Sequence, residues 1–137
     1  MTTIESKGAT YFVTRKLDTF AQLHIARKLG PAMPIVEGLL SPENAAKKKA
    51  LLVVLMLSHI PDADAEFVIK KALSVVTRAQ GQSRAAVLAS DGTLMFDDMG
   101  METMLDLTTA VIEDSLGEFF RTALADLNKV DPVVNAT

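Results

Sequence analysis

Between Met101 and Leu127 the residues Met101, Met104, Leu105, Val111, Ile112, Phe119, Ala123 and Leu127 trace one stripe at near-helical spacing. Apolar positions three and four apart mark an amphipathic helix. At 1.5 Å per residue such a helix is about 40 Å long. The whole chain has 137 residues, enough for one domain. Gly117 interrupts the stripe at a cost of about 1 kcal/mol against alanine, which leaves a kink or two shorter helices as alternatives.

Three earlier segments also read as helical. One starts at Asp18, a good N-cap, and carries Phe20, Ala21, Ile25, Ala26 and Leu29 to a stop at Gly30-Pro31, where glycine suits the left-handed C′ position. A short apolar stretch from Pro31 to Leu40 predicts one or two helical turns. Ser41-Pro42-Glu43 combines a capping side chain, a first-turn proline and an acid at the positive helix end. It predicts a helix to about Ser58 whose second half, apolar all round, is the most buried element. After Pro61, Asp62 or Asp64 is the expected cap of a helix bearing Ala65, Val68, Ile69, Ala72, Leu73 and Val76, which ends in the polar loop Gln80–Ser83.

Strand signals are fewer. Tyr11-Phe12-Val13-Thr14 follows a turn at Gly8 and has the aromatic and β-branched character of a strand. Ala85–Ala89 and Thr93–Phe96 flank Ser90-Asp91-Gly92, a hairpin signal. Two strands alone are marginal in water, so pairing with the Tyr11 strand is expected. The fold class is α+β and predominantly helical, with four to five helices and a small antiparallel β-hairpin or three-stranded sheet. Residues 1–127 are expected to form a single globular domain and 128–137 a flexible C-terminal tail.

Composition narrows the function. With 49% apolar and 23% charged residues, the chain is not intrinsically disordered. The absence of cysteine excludes disulfides, thiolate metal sites and cysteine nucleophiles. A net charge of -3 argues against a general nucleic-acid partner. Charge is unevenly spread: residues 1–84 hold 12 basic and 7 acidic side chains (+5), residues 85–137 hold 2 and 10 (-8). These halves either attract each other within the fold or offer an acidic face to a basic partner. The longest apolar run, Ala50 to Leu57, has eight residues; a membrane span needs about 20. Lys47-Lys48-Lys49 before it reads as a solvated helix face. The N-terminus lacks the pattern of a secretory signal, and a cytoplasmic location is expected.

Candidate chemistry is sparse. No phosphate-binding glycine loop is present. His24 and His59 have no histidine at i+4, so a zincin helix is excluded. Asp62, Asp64 and Glu66 begin like a calcium loop, yet its sixth position, glycine by rule, is Phe67. Asp97, Asp98 and Glu102 suggest paired carboxylates, while a cap and first turn of the last helix is the simpler and preferred account of them. No cofactor or metal is expected. Four of the seven methionines lie between Met95 and Met104, and methionine is common both in cores and on adaptable binding surfaces. Met99, Met101, Met104, Phe119 and Phe120 are accordingly the candidate partner-binding residues.

Two stretches resemble a known family. Tyr11 to Pro31 has a short strand, then Leu17, Phe20 and His24-Ile25-Ala26-Arg27-Lys28-Leu29 on a helix that ends near a proline. Val111 to Phe120 ends in Leu116-Gly117 followed by Phe119-Phe120. Both resemble the tailed-bacteriophage tail assembly chaperones. That resemblance implies a non-enzymatic protein of phage or prophage origin. It would bind the tape-measure protein and help recruit tail-tube protein subunits in the host cell cytoplasm, and be absent from the mature virion. Partly apolar surfaces also favour a homo-oligomer. Two other readings stay open: a small cytosolic adaptor or antitoxin-like regulator, and a metal-assisted hydrolase using Asp97, Asp98, Glu102 and a histidine.

Overall fold

The computed structural model describes residues 2–40 and 50–135. In chain order these form β1 (Thr2–Ser6), β2 (Ala9–Val13), α1 (Thr19–Lys28), a 3-10 turn (Gly30–Ala32), α2 (Met33–Leu40), α3 (Ala50–Leu57), α4 (Asp62–Leu73), β3 (Val76–Gln80), β4 (Ser83–Ala86) and α5 (Met101–Asn135). The architecture is α+β and mostly helical, as the sequence predicts, with four strands in the sheet. The expected cap at Ser41-Pro42-Glu43 and the Lys47–Lys49 face lie outside the described residues.

The sheet is antiparallel in the order β1-β2-β3-β4. Lys7 and Gly8 join β1 to β2 with φ of 50° and 81°. Positive φ at both positions is what a type I′ turn requires, and its twist matches that of the flanking strands. Tyr11 and Val13 of β2 and Val76 of β3 are buried, which puts one face of the sheet in the core.

That core is organised by α5. Ser6 Oγ lies 2.8 Å from Thr103 Oγ1, and Thr2 Oγ1 donates to Asp114 Oδ1 at 3.0 Å. Thr103 and Asp114 stand about three turns apart on nearly the same side of the helix, so β1 runs along it. Leu105, Ile112 and Leu116 are buried about half a turn round from Thr103, and α2, α3 and α4 also pack on α5. The first five turns of α5 are thus enclosed nearly all round. Thr108 and Thr109 tolerate this because each hydroxyl donates to the carbonyl four residues back, Met104 and Leu105 respectively, at 2.8 Å. Gly117 is buried within an unbroken helix, and helical backbone persists past Leu127 to Asn135.

Several expectations are corrected. The helix α3, apolar all round, is not the most buried element: Val53 and Met56 enter the core while Val54 and Leu55 are exposed. Burial follows the number of neighbours, and α5 is long enough to have neighbours on every side. Asp18 caps α1 as predicted, its Oδ1 accepting from the Ala21 N–H at 2.8 Å. Helix α1 ends at Lys28 with Leu29 as its C-cap, so Gly30-Pro31 marks the stop as predicted, but not through a left-handed glycine. Gly30 keeps a negative φ, and the chain passes through one 3-10 turn directly into α2. Neither Asp62 nor Asp64 caps α4; Pro61 holds that position without a side-chain bond, and both acids lie in the first turn. Helix α4 stops at Leu73, before the β-branched run Val75-Val76-Thr77 enters β3. Ala85 and Ala86 pair with β3 as part of β4, so the turn of that hairpin is Gly81-Gln82.

Replacing Ile112, fully buried, by alanine is expected to cost about 2–5 kcal/mol. Met101→Ala, although on the same sequence stripe, should stay within about 0.5 kcal/mol because Met101 is exposed. Urea unfolding of the two variants measures the difference.

Candidate functional site

A groove of about 400 Å³ lies between α4, the 88–94 bend and α5, within the usual size range of binding clefts. Helix α4 supplies Ala65, Ile69 and Leu73, spaced four apart on one face, with Asp62, Glu66 and Lys70 along the rim. Leu88 and Leu94 close the opposite side, and Met104 of α5 forms part of the wall.

The bend owes its shape to Ser90-Asp91-Gly92. The Gly92 N–H donates to the Ala89 carbonyl at 2.9 Å, and the Ala89 N–H to the Thr93 carbonyl at 2.8 Å. Gly92 has φ of 89°, a conformation that glycine adopts without steric cost. Asp91 Oδ1 accepts from the Thr93 N–H and hydroxyl at 3.0 and 2.7 Å. These bonds are the main reason the Asp91 carboxyl sits below its ordinary pKa. The predicted turn is therefore real, but its flanks form a single bridge, Leu88 to Leu94, and no strand. The run is too short to extend the sheet once Ala85 and Ala86 are taken by β4.

The charged residues of the groove lining are Asp62, Glu66 and Lys70. Lys70 Nζ bonds Glu66 Oε1 at 2.7 Å, which holds the Glu66 carboxyl below the usual range. Lys70 also acts on Asp91. The groove lining itself thus carries two carboxylates, Asp62 and Glu66, and one lysine, Lys70. Its apolar walls have the character of a surface that can accept an apolar side chain.

The five candidate partner-binding residues do not form one surface. Met104 lines the groove. Met99 and Phe120 belong to the core at 7% and 3% exposure. Met101 and Phe119 are 68% and 58% exposed, but they stand about 27 Å apart along α5. Phe119 borders a separate hollow whose wall includes Lys16, Glu113, Asp114 and Glu118. Phe20 also departs from its expected core position on α1, at 76% exposure, with Leu23 at 51%. The signal was present: Leu17, Ala21, Ile25 and Leu29, all buried, form a strict i, i+4 line, and Phe20 lies a quarter-turn or more from it.

The paired-carboxylate arrangement is not assembled. Asp98 takes a bidentate pair from Arg78 at 2.7 and 2.9 Å, and Glu102 pairs with Lys7 at 3.1 Å. The Arg78 guanidinium also covers the rings of Phe96 (4.6 Å) and Tyr11 (5.7 Å). His24 meets the edge of Phe67, and His59 Nδ1 lies 2.8 Å from the Leu55 carbonyl. Among the described residues no three His, Asp or Glu side chains are placed to hold a metal ion, and no helix is long and apolar enough to cross a membrane.

The Arg78 hydrogen bond is the chief cause that lowers the Asp98 pKa. A depressed folded-state value contributes stability that is present above the unfolded pKa and lost as pH falls through the folded one. Wild type should therefore exceed Asp98→Asn in thermal stability at neutral pH. The gap should close on acidification below 3.8, the ordinary aspartate value. Melting curves across that range check it.

A family model described as "Phage tail assembly chaperone protein, TAC" matches residues 7–127. No curated protein and no solved structure matches. The matched span contains both Tyr11–Pro31 and Val111–Phe120, the helix α4 and all of the groove. The chain belongs to the phage tail assembly chaperone family.

Proposed function

We propose that this chain is a non-enzymatic holder of the tape-measure protein of a tailed phage or prophage. It shields apolar helical segments of that protein in the host cytoplasm, helps bring tail-tube subunits to it, and is left out of the finished particle. The observation that carries this reading is the groove: an apolar trough open to solvent, lined by Ile69, Leu73, Leu88, Leu94 and Met104, on a chain of the chaperone family.

An amphipathic helix presents apolar anchors at i, i+3 or i+4, and i+7, and such anchors fit a trough built on one face of another helix. Each fully buried leucine-sized anchor contributes about 1.5–3 kcal/mol. Ordering and lost rigid-body freedom offset much of that. A groove admitting two or three anchors therefore holds a client weakly and releases it, which a protein absent from the product must do. The methionine in the wall adds adaptability to differing client side chains.

Co-expression tests the reading. Tape-measure fragments should stay soluble and co-purify with wild type, and Leu94→Asp, which puts a charge into the exposed wall of the groove, should abolish both. Absence of binding at micromolar wild-type protein would refute the assignment.

A further inference from the structure

Lys70 reaches across the groove from α4 to the bend. Its Nζ lies 3.3 Å, and its Cδ and Cε 3.7 Å, from the point where a Cβ on Gly92 would stand. Both residues line the groove. A lysine stem lies readily along apolar surface while its ammonium stays in water. Gly92 permits the crossing in two ways: its φ of 89° suits glycine, and a Cβ there would press on the ammonium end.

The ammonium is held by Glu66 Oε1 at 2.7 Å, one turn back on the same helix. Both side chains of this pair are exposed, Lys70 to 45% and Glu66 to 64%. Exposed pairs contribute little and are screened by salt, and a released lysine regains rotamer freedom. The crossing therefore opens at small cost. The apolar lining does not depend on it, because Ile69, Leu73, Leu88, Leu94 and Met104 come from α4, the bend and α5.

We infer that Lys70 is a strap across part of the apolar trough, latched by Glu66 and resting against Gly92, which an entering apolar group displaces. The strap covers some of the trough when nothing is bound, which reduces the exposed apolar patch. It yields to an occupant that gains more from burial than the latch contributes. Where that occupant is a tape-measure segment, the strap weakens and slows its capture. This consequence rests on the groove being the client site; the strap itself does not.

Proton Overhauser contacts and dye titration on the full chain test it. The Lys70 Hδ and Hε protons should contact Gly92 Hα in the free protein. That contact should vanish when Nile red, a neutral apolar dye, saturates the groove. Leu94→Asp, which charges the exposed wall, should abolish dye binding. Lys70→Ala removes the strap and should bind the dye about two-fold tighter, the scale of an exposed i, i+4 pair. Glu66→Gln keeps the stem, loses the latch and should fall between the two. At about 1 M salt the screening length is about 3 Å, and wild type should gain more dye affinity than Lys70→Ala, which reports the general effect of salt on apolar burial. Because Glu66, Lys70 and Leu94 are exposed, circular dichroism of all three variants should match wild type.

The proposal is overturned by a free protein that lacks the contact between Lys70 and Gly92, or by a contact that survives saturation with dye. Equal dye affinity in wild type and Lys70→Ala also overturns it, as does dye binding that is absent or that Leu94→Asp leaves unchanged. Tape-measure fragments separate the strap from the client reading. Tighter capture by Lys70→Ala than by wild type extends the strap to client entry, and equal capture refutes that extension. Fragments that bind neither protein, while the dye behaves as expected, defeat only the client reading. Fragments that bind both, while the dye affinities are equal, defeat only the strap.

Discussion

Enclosure of the first half of α5 is the constraint from which the other placements follow. A helix buried on nearly all sides needs a partner layer on each side, and here these are the small sheet and the helices α2, α3 and α4. The polar residues on this helix are part of the solution. Thr108 and Thr109 satisfy their hydroxyls on the helix's own carbonyls, and Thr103 meets Ser6 of β1. Buried polar groups with partners cost little, whereas unpartnered ones are expensive. The sheet is thereby tied to the rod by polar bonds as well as by packing.

Two further contacts set the positions of the remaining elements. The Leu17 N–H donates to Ser115 Oγ at 3.0 Å, which fixes the start of α1 against α5. Arg78 pins the segment after the 88–94 bend to the sheet through Asp98 and the Phe96 ring. The groove is the space left where α4 and that pinned segment both reach Met104. It is consequently bounded by one rigid helix face and one loop held at its far end. Its shape depends on charge pairs at the surface as well as on the core beneath.

Much of the local structure was legible in the residues. The Asp18 cap, the α1 helix, the Ser90-Asp91-Gly92 turn and the long last helix follow from side-chain capping, conformational preference and apolar period, all of which act over a few residues. The family was legible too, through the packing patterns of Tyr11–Pro31 and Val111–Phe120. The groove was legible only in Met104, since its other walls come from segments that read separately as a helix stripe and a hairpin. Asp98 shows the same limit from the other side: three nearby acids looked like a reactive pair, and only the arrival of Arg78 and Lys7 from the sheet made two of them structural.

Apolar residues by themselves do not state which neighbour will cover them. The sequence determined that this chain forms a mostly helical α+β domain with one long last helix, because hydrogen-bonded turns and amphipathic periods are local properties. Tertiary structure decided that α3 buries Val53 and Met56 but leaves Val54 and Leu55 exposed despite its apolar character. It also decided that Met99 and Phe120 are core while Met101, Phe119 and Phe20 face solvent, and that α4 offers one face to α1 and the other to an open trough. Burial is a count of neighbours in space, and those neighbours come from parts of the chain that no short window contains.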